Sequence, residues 1–554
     1  MADFDYIIVG SGAAGCVLAM RLSEDPAIRV LVLEAGPRDA HPLIHMPKGI
    51  AKIMADPQYI WAHESRAEPS TGNKAEVWAR GKVLGGSTSI NGMMYVRGMP
   101  ADFDAIAEVS SDDWNWTQIG RAYAALERHE LGAGPTRGDR GPLHVTLPTH
   151  RDRLSEAQIA AGRVLGWAGK TDMNEPDDQV AIGYAPRTVW RGRRESAARA
   201  FLRPAMKRHN LTVMTGAVVD RILFDGTRAI GVRAIVAGVA REIATDGEVI
   251  LCGGALSSPA VLERSGIGDP ALLERLGIAL VHASPQVGEN LIEHRALLIQ
   301  SRLRQNISHN RQYGGWRLMR NALKYALGMD GLMSAASYEI VGWLKTDPGQ
   351  SRPNAQILVA PFSFDLDDRT QVERVPGMHV AAYTLRPTSR GSIHIATTDP
   401  HASAGLSANH AATDQDRAEM VGLVRAVRRY LATEPLAGLL AEETSPGAAC
   451  QNDAEILAAY ERLGTCGYHA VGSCRMGRDE QSVVDPALRV RGVSGVRVMD
   501  TAIMPAIPSG NTNGPTMAMA WRAADIILRD RAPCFASACH DARVSWSGQT
   551  DGEA

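Results

Sequence analysis

The chain has 554 residues, 45% hydrophobic and 22% charged, with a formal net charge of −2 and a pI near 6.8. At roughly 100–200 residues per domain it is too long for one compact core. Its near-neutral balance argues against a global electrostatic pull toward nucleic acid or anionic lipid. Seven cysteines, an odd number at scattered positions, argue against a disulfide framework and for a reducing compartment. Cys466, His469 and Cys474 lie close together but without a CxxC pair, so no metal is expected there.

The segment Phe4–Gly10 (FDYIIVG) has no basic stretch before it and no small-residue cleavage pattern after it, so it reads as a strand and not as a signal peptide. No apolar run approaches the ~18 residues needed to span a bilayer. A cytoplasmic location is expected, with contact with a membrane electron carrier left open. Asp5–Val9, a helix over Ala13–Leu22 and a second apolar strand over Arg29–Glu34 open a doubly wound parallel sheet. Ala35–Lys74 reads as an irregular excursion. Helices are expected at Asp102–Glu108, Thr117–Glu130, Leu154–Leu165 and Ser196–His209. A strand Leu211–Met214 and a hairpin pairing Ala217–Phe224 with Ala229–Val236 follow, then a short strand Glu248–Leu251 running into glycine. Between Leu291 and Thr397 the strand-like stretches Ala355–Ala360, His379–Leu385 and Ser392–Ala396 point to an antiparallel sheet. Asp414–Ala432 and Asp453–Arg462 look helical, Val493–Met499 returns to a buried strand, and Gly514–Arg529 is the last helix. Asp530–Ala554 reads as a loosely ordered tail.

Gly10-Ser11-Gly12-Ala13-Ala14-Gly15 is a GxGxxG turn between strand and helix. Gly10 permits the tight turn, Gly12 lets the backbone approach a pyrophosphate, and Gly15 lets helix and strand pack closely. The helix N-terminus offers free N–H groups to the phosphates, with Ala13 and Ala14 in its first turn. Glu34 ends the second strand, where an acidic side chain can hold ribose hydroxyls and would repel the 2′-phosphate of NADP. This fragment alone does not separate NAD from FAD.

Further motifs follow in order. They are RGKVLGGSTSINGM over Arg80–Met93, GGALSSPAVLERSGIG over Gly253–Gly268, Gly288–Leu291 (GENL) with His294, YHAVGSCRMG over Tyr468–Gly477, and Val498–Asp525 with its MDTAIMPAIPSGNTNGPTMAMAWRAAD. Together they resemble the signatures of the glucose–methanol–choline (GMC) oxidoreductases, in the manner of the choline dehydrogenase-like bacterial branch. The resemblance covers nearly the whole chain. It implies an α/β fold: a Rossmann-like FAD-binding domain with an inserted antiparallel-sheet substrate-binding domain. The FAD domain is expected to be discontinuous, over 1–40, 75–100, 195–290 and 490–530. Substrate domain and excursions take 41–74, 101–194 and 291–489, and the tail is 531–554.

By the same resemblance, FAD oxidation of an alcohol to an aldehyde or ketone is expected, with O2 or a quinone-like acceptor. Val83, Gly85, Gly86, Asn91, Met93 and Met94 are expected near the cofactor, with Gly85 and Gly86 bringing backbone donors. Val219, Asp500, Ala502, Asn513 and Thr516 complete the cofactor set. Some relatives attach FAD through a histidine in the first signature; the matching position here is Ile90, so non-covalent FAD is expected. His469 matches the catalytic histidine, and imidazole titrates near neutrality and can take the hydroxyl proton. Asn511 matches the second active-site position. Its amide can bond the substrate oxygen but cannot act as a base. The alternative is a lyase of the hydroxynitrile lyase type, which keeps FAD on the same fold without redox turnover. Neither substrate nor oligomeric state is legible.

Overall fold

A computed structural model describes residues 4–368 and 370–540, with side chains through Arg531. Strand β1 (Phe4–Val9) has Tyr6 to Val9 all buried. It reads as a continuous apolar run because it is flanked on both sides. Tyr6–Val9 lie parallel to Val30–Leu33 of β2 (Val30–Glu34), and Tyr6–Val9 lie parallel to Glu248–Leu251 on the other side. Helix α1 (Ala13–Leu22) follows the glycine turn. Gly10 sits at φ +102°, and a Cβ on Gly15 would fall 2.0 Å from the Gly10 carbonyl oxygen, so this packing requires glycine at Gly15.

The first sheet has seven strands. Its order is Leu211–Thr215, β2, β1, Val239–Leu251, Arg228–Val236 and Ala217–Asp225, with Val496–Val498 added parallel to Val239–Leu251. The last three of the ordered strands form an antiparallel meander. The second sheet has eight strands and is antiparallel except at one edge, where Ala168–Gly169 pairs parallel with Ala181–Tyr184. Its middle is Arg295–Leu303, Gly377–Thr384, Ala355–Ala360 and Ile340–Leu344. Helix Asp414–Leu431 covers this sheet, burying Val421, Val424, Val427 and Tyr430 in the same core as Ile299, Ile357 and Val380. Thr413 caps that helix, its hydroxyl accepting from the Asp416 amide at 3.2 Å. Thr413→Ala should lower unfolding stability by about 1 kcal/mol, read as a shift in urea midpoint with unchanged slope.

Several elements differ from expectation. Ser196–His209 is not one amphipathic helix. It is a π turn over Ala198–Leu202 continued by a single α turn, Arg203–Ala205, that contains Pro204. The excursion Ala35–Lys74 carries short helices at Pro42–His45 and Ile50–Ile53, and a strand Ile60–Glu64 paired antiparallel with Val77–Gly81. Helix α2 (Gly315–Ala326) was not expected. Helix α3 (Asn513–His540) runs past Arg529, so the first part of the expected loose tail is helical; residues 541–554 lie outside those described. No described helix is long and apolar enough to cross a membrane.

Candidate active site

A cavity of about 780 Å3 is lined from both sheets. Around it stand Gly10, Gly12, Ala13, Ala14, Glu34, Gly86, Asn91, Met93, Met94, Val219, His469, Asp500, Asn511, Asn513 and Thr516, drawn from segments as far apart as the two ends of the chain. Four expected cofactor residues do not line it. Gly15 is pressed against Gly10, as above. Val83 turns into an apolar cluster with Ile44, Ile53, Tyr59 and Ile90. Gly85 donates its amide to the Ser11 carbonyl of the first glycine turn at 2.9 Å, and Gly86 donates to the Val83 carbonyl of its own loop at 2.7 Å, so both amides are already committed within the protein. Ala502 is buried, its amide donating at 2.7 Å to Asp500.

The dinucleotide half has the features a pyrophosphate needs. Gly12 caps α1 with no side-chain hydrogen bond, so the first-turn amides have no competing cap. A Cβ on Gly12 or on Gly254 would meet nothing within 4 Å, leaving main chain open to the cavity at both places. Glu34 is held by its neighbours: Oε2 accepts from the Ser11 amide at 3.0 Å and hydroxyl at 2.6 Å, and Oε1 from the Gly36 amide at 2.8 Å. Burial pushes its carboxyl upward. Asp500 accepts from the Gly254 amide at 2.8 Å and the Ser258 hydroxyl at 2.6 Å, tying the second glycine turn to the last strand. Ile90 lines the same cavity and offers no nucleophile.

At the other end, His469 sits in a chain of hydrogen bonds whose direction can be worked out. His294 Nε2 lies 3.0 Å from the Leu385 carbonyl oxygen, which can only accept, so this nitrogen carries the hydrogen. Burial pushes His294 down to about 4, so at neutral pH its ring is uncharged and its Nδ1 is an acceptor. His469 Nδ1 is 3.0 Å away and must therefore be the donor. That leaves the lone pair of His469 on Nε2, where the Asn511 amide Nδ2 donates at 2.9 Å. Gln356 Nε2 donates to Asn511 Oδ1 at 3.4 Å, and Tyr383 Oη donates to Gln356 Oε1 at 2.6 Å, which orients both amides. Burial first, and then the neighbouring His294 ring and Arg80 guanidinium, hold His469 well below the ordinary imidazole range. Its main chain is fixed separately: the His469 amide donates to both oxygens of Glu293, at 2.7 and 2.9 Å.

Glu293, Gln356 and Tyr383 went unnoticed in the sequence. His294 was quoted within a motif but given no role. Gln356 and Tyr383 lie on neighbouring strands of the second sheet, directly paired at Gln356↔Tyr383, and only the register makes them partners. The excursion also reaches the cavity, through Lys48, Ile50, Ala51, Met54, Trp61 and His63.

A parallel sheet ending in a glycine turn, an acid on the next strand and a histidine–asparagine pair at the far end of one cavity define a dinucleotide-binding oxidoreductase. Two family models, both described as GMC oxidoreductase, match residues 4–296 and 387–520. The chain is 38% identical to an oxygen-dependent choline dehydrogenase of Ectopseudomonas mendocina (strain ymp), over 96% of this chain and 95% of that protein. It is 35% identical to the mitochondrial choline dehydrogenase of Mus musculus, over 95% and 89%. Among solved structures it is similar to pyridoxine 4-oxidase from Mesorbium loti, with a TM-score of 0.86 and 29% identity over 94% of this chain and 99% of that one. The chain belongs to the GMC oxidoreductase family. It is an FAD-dependent enzyme acting on CH–OH donors.

Proposed function

We propose that the protein oxidises an alcohol to an aldehyde or ketone with His469 as the base. The residues named above as lining the dinucleotide half of the cavity would hold FAD, which supplies the hydride acceptor at its N5. The chain's own work lies at the hydroxyl. His469 Nε2 presents its lone pair, and Asn511 presents an amide donor beside it. A hydroxyl placed between them donates its hydrogen to Nε2, while its oxygen accepts from Asn511. As the carbon loses hydride, the proton passes to Nε2 and a carbonyl group remains. The resulting imidazolium keeps its Nδ1–H on His294 and so holds its orientation. The observation that carries this reading is the tautomer imposed by His294 and Leu385.

Mixing the holoenzyme with a panel of alcohols without oxygen tests it: flavin absorbance should bleach with at least one of them. A lyase would turn over with its flavin still oxidised, and the dehydrogenase and oxidase relatives support redox turnover instead. Reoxidation would fall to O2 or a quinone-like acceptor. Because the base acts unprotonated and is held below 6.5, kcat/KM should stay level through neutral pH and fall only below 6.5. An acid limb with its midpoint at 6.5 or above would remove His469 from the role.

The cavity also supports a reading of the substrate. Among the described lining residues only Glu34 and Asp500 are carboxylates, and both are hydrogen-bonded to the glycine turns. The walls around the His469 end include Leu298, Tyr338, Leu358, Phe362 and Tyr383, with the ammonium of Lys48 in the same cavity. A cationic alcohol such as choline would find aromatic faces but no counter-charge, and an ammonium to repel it. An uncharged or anionic apolar alcohol fits better. In steady-state comparison, benzyl alcohol should exceed choline in kcat/KM by about tenfold or more, a difference of the size expected for one unpaired charge. Choline turned over faster would refute this reading.

A further inference from the structure

Helix α2 turns its apolar face outward. Trp316, Met319, Leu323 and Leu327 recur at three- and four-residue spacing and are 63, 74, 61 and 68% exposed. Asn321 is the only buried residue of the helix. It anchors the opposite side, donating to the Gln312 carbonyl at 3.3 Å, while the Tyr325 hydroxyl donates to the His45 carbonyl at 3.3 Å. Just beyond the helix, Met329 is also exposed. A soluble helix buries such a stripe; this one is held in place by its polar side.

The charge beside the stripe has one sign. From Arg304 to Met329 the sequence holds Arg304, Arg311, Arg317, Arg320 and Lys324, and neither Asp nor Glu. Among the described residues none of these five forms a salt bridge with a carboxylate, unlike the nearby Arg302, which pairs with Glu373 and Glu442. The Arg317 and Arg320 guanidinium groups lie 5.3 and 5.1 Å from the centre of the Trp316 ring, keeping cations at the border of the apolar face. The whole chain is close to neutral, so this segment is a local departure.

We propose that α2 docks the protein on an anionic lipid surface, with Trp316, Met319, Leu323 and Leu327 entering the interfacial layer and Arg317, Arg320 and Lys324 meeting the headgroups. An exposed apolar stripe flanked by bases is the pattern of a helix that lies in the plane of a membrane interface. A second copy of the chain is a poorer occupant. A twofold contact across this face would set the basic flank against its own image, with no acid on α2 to compensate. The docked helix would lie beside the cavity. Tyr313, just before α2, lines it, and so do Lys48 and Ile50 of the segment that Tyr325 touches through His45. A lipid-dissolved alcohol or electron acceptor would then meet the protein on a face next to residues that line the cavity.

Co-sedimentation of the holoenzyme with vesicles tests the proposal without reading turnover. At low salt, most of the protein should pellet with vesicles containing phosphatidylglycerol and little with phosphatidylcholine alone, and added salt should release it. Changing Arg317, Arg320 and Lys324 together to Glu, or Trp316 and Leu323 together to Ser, should lower the partition coefficient by about tenfold or more. Both variants should keep their FAD and their rate on a water-soluble alcohol, which shows that they fold. Equal pelleting with the two vesicle types, or variants that pellet like the parent, would overturn the proposal. A concentration-dependent dimer abolished by the Trp316→Ser, Leu323→Ser change would also overturn it, in favour of self-association.

Discussion

Replacing His469 by alanine should slow the reduction of bound flavin by an alcohol by about 10^2–10^4-fold, the usual contribution of a positioned general base. No neighbour can take over. Asn511 has no basic nitrogen at neutral pH. His294 has committed its Nε2–H to the Leu385 carbonyl, and burial holds it down to about 4. The Tyr383 hydroxyl already donates to Gln356, and burial pushes it far above its ordinary range. FAD content should be unchanged, since the His469 side chain bonds His294 and Asn511 and none of the glycine turns. The measurement is the single-turnover bleaching rate without oxygen, with His469→Gln as the near-isosteric control. A loss smaller than about tenfold would show that the proton leaves by another route.

The second large effect concerns acid. Several histidines are folded into places that exclude charge, and three of them besides His469 are fully buried. Burial pushes His294 and His379 down to about 4 and His410 down to about 3. His410 Nε2 has no hydrogen-bond partner, and His379 Nδ1 faces the Phe362 carbonyl at 2.7 Å. Their pKa values are lowered in the folded state, so between pH 6.5 and about 4 the unfolded chain binds protons that the native chain refuses. Unfolding therefore becomes easier as pH falls through this window, and the loss is complete once the folded values are reached. Each histidine accounts for on the order of 3 kcal/mol. Three such terms are comparable with the roughly 5–15 kcal/mol that holds a typical domain together. The thermal midpoint, followed by circular dichroism with FAD present in excess, should drop steeply across the window. A level midpoint there would mean that these rings accept protons in place.

The dinucleotide half was legible because its signals are local. The period of β1, the glycine turn and the acid at the end of β2 all lie within one short βαβ stretch. Helix Asp414–Leu431 was legible for the same reason, having a capping threonine, acids in its first turn and arginines in its last. Val239–Leu251 was read only in its last four residues, because the earlier part runs in a meander with exposed, charged positions such as Arg241 and Glu242. Ser196–His209 was over-read at its ends and in its regularity: the helical run is shorter and passes through a π turn at Ala198–Leu202 before the single α turn that holds Pro204. α2 was missed although Trp316, Met319, Leu323 and Leu327 recur at helical spacing; what the spacing does not carry is that this stripe faces outward. His469 was singled out through its motif, whereas the partners the structure places beside it, His294, Gln356 and Tyr383, come from strands and loops far apart in the chain. Which side of a strand faces a cavity depends on pairing, and pairing is not written in any one segment.

The hydrogen bond between His294 and the Leu385 carbonyl sets a limit on how the enzyme can drift. The acceptor that terminates the chain is a peptide oxygen, present whatever amino acid occupies the position. Mutation can exchange Gln356 or Tyr383 and loosen the alignment of Asn511, yet the tautomer of His469, and with it the nitrogen proposed as the base, survives as long as His294 and the course of the main chain do. Pocket walls on the second sheet are thus free to be rewritten without disturbing the protonation pattern of His469 on which the proposed proton transfer depends.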